Sequence, residues 1–491
     1  MTIPPTLSAQ TIQMGAPPLV VDLDGTLTPS DTLIESAICL IKHRPLDCLQ
    51  WPRWLLQGKS AFKARVASRA GYSVENLPLR ADLLDYLAEQ KSAGRRLILA
   101  TAAHRSIAHA VARKIGLFDD VLASDEHRNL KGRRKLEAIQ KQVGNAFAYA
   151  GDSHADLPIW KASHAAILVN ASSRVKRILH GLVPIEREFQ FPNPTLKTWS
   201  TALRFHQWLK NLLLFVPLLT AFSFFDPAKI IAALIAFFAF SLAASATYVV
   251  NDLLDLENDR THPRKRKRPF ASAALSIPAG LTVASASLLT AFILALNVSA
   301  GFTFMLLSYL ILTSAYSWLL KKYVLIDVLT LSLLYTLRIL AGSVAIGVAT
   351  SPWLLAFSVF IFLSLALVKR CSELISLQQA GQTATRGRDY RVSDQQVLTP
   401  LGMAAALGAV VVFGLYTSSP EVQGHYSSPL ILWLVAFGMI YWLARLWIKT
   451  QRGEMHDDPL VFALRDRGSR ISLAAMLTVV LAARYLPGVN L

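Results

Sequence analysis

The chain has 491 residues, 53% of them hydrophobic, with a mean hydropathy of +0.39 and a formal net charge of +18. That length exceeds one ordinary domain: up to about residue 195 charged and apolar residues mix as in a soluble domain, and from Leu209 onward apolar runs of membrane-spanning length dominate. Much of the basic excess of the second part sits in loops between those runs, which fits orientation by a bilayer and its anionic head groups and speaks against a nucleic-acid partner.

The first 17 residues have neither a basic start nor an apolar core, so they read as a disordered leader and not as a signal peptide. A short strand is predicted over Pro18–Leu23, running into Asp22-Leu23-Asp24-Gly25-Thr26. Two aspartates two apart at the carboxyl end of a buried strand sit where such sheets bind ligands, and Gly25 permits the turn that brings backbone N–H groups to a phosphate. Helical patterns follow to about residue 92, and about 75 residues separate this motif from Thr101, space for a small helical cap. Further strands are predicted over 96–100, around 121–123 and over 146–150, with helices between. The second of the strands ends in Thr101 and the last in Gly151-Asp152-Ser153-His154-Ala155-Asp156. This alternation argues for a parallel α/β sheet covered on both faces. Residues 181–198, with Pro184, Pro192 and Pro194, read as a linker. The cysteines Cys39, Cys48 and Cys371 have neither metal-ligand spacing nor a disulfide framework, which suits a reducing cytosol.

The motifs over residues 18–180 resemble the haloacid-dehalogenase-like (HAD) phosphohydrolases, with a Rossmann-like sheet. The resemblance implies Asp22 as the nucleophile that forms an aspartyl-phosphate and Asp24 as the general acid/base. It implies Thr101 as a ligand of the transferring phosphoryl group. Asp152 and Asp156 would join Asp22, with Asp24 beside it, around Mg2+. The family's lysine is Lys135, four residues before Ile139 as at a helix start, or Lys131, which precedes a glycine; Lys135 is favoured.

Beyond the linker, apolar runs fall near 209–225, 230–250, 277–297, 299–320, 323–347, 352–368, 397–416, 428–448 and 471–487, nine candidate spans of an all-α membrane domain over 199–491. The basic connections, Arg260–Arg268, Lys321-Lys322, 369–391 and 449–470, lie on one side with the N-terminal domain. That side is read as the cytoplasm, with the C-terminus outside a multi-pass inner (plasma) membrane. After the second run comes Asn251-Asp252-Leu253-Leu254-Asp255-Leu256-Glu257-Asn258-Asp259. Carboxylates are costly at a membrane, and Asp252, Asp255 and Asp259, at i, i+3 and i+7 on one helix face, would hold Mg2+ against a diphosphate.

This second motif resembles the UbiA superfamily of intramembrane prenyltransferases. The usual second Asp-x-x-x-Asp motif is replaced by Lys369-Arg370-Cys371-Ser372-Glu373 and Arg388-Asp389-Tyr390-Arg391-Val392-Ser393-Asp394. With the block Arg204-Phe205-His206-Gln207-Trp208-Leu209-Lys210-Asn211 leading into the first run and His456-Asp457-Asp458 before the last, the pattern is similar to the decaprenyl-phosphate phosphoribosyltransferase branch. That branch implies phosphoribosyl pyrophosphate as donor and an isoprenoid lipid phosphate as acceptor. Asn251, Lys210, Asn211, Tyr335, Arg338, Lys369, Arg370, Glu373, Arg388, Tyr390, Asp394, Asp457 and Asp458 are the expected substrate contacts. Arg338 and Tyr335 fall inside an apolar run, where an arginine is a functional candidate. The joint expectation is a bifunctional Mg2+-dependent enzyme of the bilayer, capable of homo-oligomerisation, whose HAD domain dephosphorylates the lipid product for cell-envelope glycan. The alternative is an aromatic prenyltransferase with a polyprenyl diphosphate donor, against which the missing Asp-x-x-x-Asp counts.

Overall fold

A computed structural model describes residues 16–384, 388–423, 426–455 and 458–486. Nearly all of the leader expected over 1–17 lies outside the described residues. The chain divides into two compact units, Met1–Ala202 with Val250–Thr282, and Leu203–Val249 with Val283–Leu491.

The first unit is built on six parallel strands: β1 (Leu19–Val21), β2 (Leu97–His104), β3 (Asp120–Ser124), β4 (Ala148–Gly151), β5 (Ala165–Val169) and β6 (Ile185–Phe189), in the order β3-β2-β1-β4-β5-β6. Because side chains alternate across a strand, Leu19 and Val21 join the core on one face and Val20 the core on the other. β1 pairs with β2 through Val20 and Ile98, and with β4 through Val20 and Tyr149, so it is central. Two strands were not expected. β5 is the continuous apolar run Ala-Ala-Ile-Leu-Val of a fully buried parallel strand. β6 lies in the stretch expected to be a linker, where it pairs with β5 and exposes four of its five residues, as an edge strand does. The linker is therefore shorter than 181–198.

The expected cap is present as Thr32–His43, Trp51–Leu56 and Lys59–Arg69, with a small core of its own around Leu40, Trp54 and Val66.

The second unit is helical. Seven helices among the described residues are long and apolar enough to cross a membrane: Pro227–Leu254, Ile277–Val298, Ala300–Trp318, Ile326–Ala345, Pro352–Gln379, Val392–Thr417 and Pro429–Gln451. The other two expected runs differ. The first folds as a 3-10 helix, Phe205–Phe215, followed by a short helix, Val216–Thr220, and buries Lys210 and Asn211. The last is the helix Arg467–Tyr485, whose Arg467, Arg470 and Arg484 make it less apolar than the seven. The 3-10 segment presses backbone-close on Ile326–Ala345: a Cβ on Gly342 would stand 2.2 Å from the Leu214 carbonyl oxygen, so only glycine fits there.

Candidate active sites

The first site gathers just beyond the carboxyl ends of β1 and β4 and beside Thr101 within β2. Asp22 follows β1, its N–H donating to the Ala150 carbonyl at 3.0 Å and its Oδ1 accepting from the Leu23 N–H at 2.8 Å. Lys135, in the first turn of the helix Arg133–Val143, puts Nζ 2.8 Å from Asp22 Oδ2 and 3.7 Å from Asp156 Oδ1. It also donates to the Tyr149 hydroxyl at 3.1 Å, which in turn donates to Asp156 Oδ1 at 2.8 Å. Lys131 is exposed, so the buried lysine on Asp22 is Lys135. Thr101 is fully buried in β2, with Oγ1 accepting from the Ala103 N–H at 3.0 Å. Asp24 Oδ1 accepts from the Thr32 N–H at 2.8 Å, at the start of the Thr32–His43 helix.

Gly25, at φ +81°, lets this loop close on Asp152, whose Oδ2 would stand 2.3 Å from any Cβ there. Asp22, Asp152 and Asp156 each offer an oxygen, all within 4.8 Å of one another, the one such trio among the described residues. Burial pushes Asp22 up, against the pull of Lys135, and pushes Asp152 up to about 7 with Asp156 and Asp22 adding repulsion. Asp24 is raised to about 7 by burial and by Asp31. Burial disfavours the Lys135 cation, yet Asp22 and Asp156 more than offset it and hold its proton. Three close carboxylates sharing one ammonium fit a hard divalent cation, whose ligands are oxygens. Mg2+ is therefore chemically suited to this trio.

The aspartate-rich segment differs from the expected single helix face. The helix Pro227–Leu254 ends, Asp255 adopts φ −101° and ψ 12°, and a short helix, Leu256–Thr261, begins. Across this break Asp252 and Asp259 still converge, on the guanidinium of Arg268 at 3.0 and 2.7 Å. Asp255 turns away: its carboxylate is 42% exposed and pairs with Lys42 at 3.0 Å. Asn251 is half-buried at the end of the long helix. The cation expected among three aspartates is thus matched by a cationic side chain between two.

The next residue, Arg260, was expected only as the start of a basic connection. It holds Glu35 of the Thr32–His43 helix with two bonds, Nη1 to Oε2 at 2.8 Å and Nη2 to Oε1 at 2.6 Å, and both side chains are almost fully buried. Ser30 and the Tyr72 hydroxyl also donate to Glu35. Burial alone would raise the Glu35 carboxyl, but Arg260 and the hydroxyls bring it below its ordinary value. Removing one partner strands the other charge. Glu35→Gln or Arg260→Gln is therefore expected to cost about 3–5 kcal/mol, read as a fall in the thermal midpoint of the first unit. The double variant should fall less than the sum of the two.

In the membrane unit the expected residues separate into two clusters. In one, Asp458 takes Lys210 Nζ at 2.7 Å, Lys369 Nζ at 3.4 Å and the Tyr335 hydroxyl at 3.1 Å. Arg338 donates from Nε to Asn211 Oδ1 at 2.9 Å and from Nη2 to the Tyr309 hydroxyl at 3.3 Å, and Asn211 donates to Ser241 at 3.0 Å. Its guanidinium carbon is 5.6 Å from the Tyr335 ring. Burial would raise the Asp458 carboxyl, but Lys369 and Lys210 hold it well below the carboxylate range. In the other cluster Arg370 meets Asp327 at 2.5 Å, both fully buried, and bonds to Glu373, which also takes Arg388 at 3.1 Å. Tyr390 lies under Arg370, 5.0 Å from ring centre to guanidinium carbon, and accepts from the Leu325 N–H at 3.0 Å. Asp394 only closes a turn, accepting from the Arg391 N–H at 2.8 Å. His456 and Asp457 lie outside the described residues. Asp327 was missed, although an acid inside an apolar run is itself a signal.

Residues 212–462 match the UbiA prenyltransferase family, and residues 19–161 match the haloacid dehalogenase-like hydrolases. Over 455 residues the chain is 39% identical to the uncharacterized protein y4nM of Sinorhizobium fredii, covering 92% of this chain and 88% of that one. It is 34% identical over 280 residues to the nodulation protein NoeC of Azorhizobium caulinodans, covering 57% and 91%. It is 29% identical over 286 residues to the decaprenyl-phosphate phosphoribosyltransferase of Mycobacterium tuberculosis, covering 57% and 92%. The rest of this chain has no counterpart in the aligned part of that last relative.

Proposed function

Since the chain belongs to the UbiA prenyltransferase family and carries a HAD-like domain ahead of its membrane helices, we propose that it moves a 5-phosphoribosyl group from phosphoribosyl pyrophosphate to a polyprenyl phosphate and then removes the 5-phosphate. The observation that carries this reading is the cluster around Asp458. Lys210 and Lys369 bring two cations to one carboxylate inside an apolar unit, and the Arg338 guanidinium lies beside the ring of Tyr335, whose hydroxyl donates to the same carboxylate. A buried surplus of positive charge asks for anions, and the proposed substrates bring several phosphates. The decaprenyl-phosphate phosphoribosyltransferase named among the relatives supports the same substrate class.

In the transferase, Asp252 and Asp259, which share the Arg268 guanidinium, would be the residues to hold Mg2+, which when bound would add to that positive charge in offsetting the departing diphosphate. Lys210 and Lys369 orient phosphates, and the apolar helices exclude the water that would otherwise capture the ribosyl cation. In the HAD domain, Asp22, Asp152 and Asp156 would hold Mg2+. Asp22 attacks the 5-phosphate, Lys135 steadies its charge, and Asp24 gives a proton to the leaving oxygen and then takes one from the water that frees phosphate from Asp22. On this reading the chemistry takes place at the cytoplasmic face, which the basic connections support.

Purified protein with labelled phosphoribosyl pyrophosphate and a polyprenyl phosphate should release diphosphate and form a labelled lipid. A labelled lipid only from a polyprenyl diphosphate and an aromatic acceptor would overturn the proposal. The acid role also has a pH signature. Asp24 is raised to about 7, so it keeps its proton below that pH and loses it above. Phosphatase turnover should fall as pH rises through about 7, and Asp24→Asn should lack that alkaline limb.

A further inference from the structure

The first unit carries an apolar surface that neither reaction uses. Directly after the Thr32–His43 helix the chain runs through a 3-10 turn, Pro45–Gln50, into the helix Trp51–Leu56. Trp54 is buried in the cap core, but Leu46, Leu49, Leu55 and Leu56 are 77%, 79%, 53% and 89% exposed. One exposed leucine is ordinary; four in so short a stretch form a patch that signals a partner. Around them Arg44, Arg53 and Lys59 are exposed. The one acid between residues 44 and 59, Asp47, is already paired with Arg69 at 3.4 Å. Apolar tips ringed by uncompensated cations match an anionic lipid surface better than a protein face.

The patch also lies where a bilayer surface must be near. Lys42 Nζ is 3.0 Å from Asp255, the residue that directly follows the membrane-spanning candidate Pro227–Leu254. Leu253 and Leu254, the last residues of that helix, line one crevice with Ile38 and Lys42. Leu46 comes four residues after Lys42. We infer that residues 44–59 dock on the bilayer, with the four leucines in the acyl boundary and Arg44, Arg53 and Lys59 on anionic head groups. The cap then keeps the phosphatase opening at the surface where a lipid-linked phosphate is presented. That consequence rests on the function proposed above; the docking itself does not.

The full chain, with Cys39, Cys48 and Cys371 replaced by serine, is reconstituted in phosphatidylcholine–phosphatidylglycerol vesicles with a fluorophore on a Leu56→Cys or a Leu46→Cys variant. Nitroxide-bearing lipids should quench both labels at least about twofold, and should leave a label on Gln142→Cys, on the exposed face of the Arg133–Val143 helix, unchanged. Leu49→Glu with Leu56→Glu should raise KM for the lipid-borne phosphate about tenfold while hydrolysis of p-nitrophenyl phosphate stays within about twofold. Labels that no lipid quenches overturn the inference, and energy transfer between labelled copies in their place would give the patch to a second chain. The quenching needs no substrate, so it stands or falls independently of the transferase reading.

Discussion

Asp22→Asn is expected to lower phosphatase turnover by on the order of 10³-fold or more, while transfer to the lipid continues. An amide keeps the size of the carboxylate and the N–H bond from Leu23, but it cannot attack phosphorus to form the acyl-phosphate. The substitution also removes one negative charge from a cluster that burial already strains, so the domain should remain folded. The variant should accumulate a lipid heavier than the wild-type product by one phosphate. If both give the same lipid, the HAD domain acts on something else and the sequential scheme is wrong, even with the transferase intact.

Asp252→Asn is the converse. Asp252 and Asp259 share one guanidinium, and Asp252 is buried, so the amide preserves shape while removing half of the carboxylate charge at that point. Diphosphate release should fall by on the order of 10²–10³-fold, with the Mg2+ concentration for half-activity moved upward. Hydrolysis of p-nitrophenyl phosphate at Asp22 should stay within about twofold. Near-normal diphosphate release at ordinary Mg2+ would take Asp252 out of the site.

Much of this was legible because chemistry sits at strand ends. Asp22 and Asp152 directly follow the strands β1 and β4, and Thr101 closes the apolar run that begins β2, which continues to His104. Lys135 was favoured over Lys131 by Ile139 four residues on, without the sequence deciding between them, and the structure puts Lys135 on Asp22. Edges read less well: β6 is Ile-Glu-Arg-Glu-Phe beside a proline, polar because it is exposed, and it looked like a linker. Periodicity failed at Asp255, since spacing of i, i+3 and i+7 marks one face only while the helix continues. The Asp458 cluster shows a different limit. Lys210 and Asp458 are 2.7 Å apart in space but at opposite ends of the membrane unit in sequence, and a single sequence holds no signal for that pairing. Glu35 with Arg260 is the same case: two ordinary charges in sequence, one buried pair in the fold.

The strand order bears on how the protein is made. β1 leaves the ribosome first, yet it lies between β2 and β4 and can gain its second neighbour only once Ala148 has followed. Until then the strand that ends at Asp22 has a bare edge, the state in which nascent sheets are most prone to pair with the wrong chain. The outer edge, β6, finishes at Phe189, and the segment that opens the membrane unit starts at Phe205. Sheet completion and the onset of membrane insertion are thus separated by only the time needed to synthesise a short peptide. Substitutions that slow the docking of β4 or β5 should therefore appear in cells as missing protein in the membrane, with the copies that do arrive fully active.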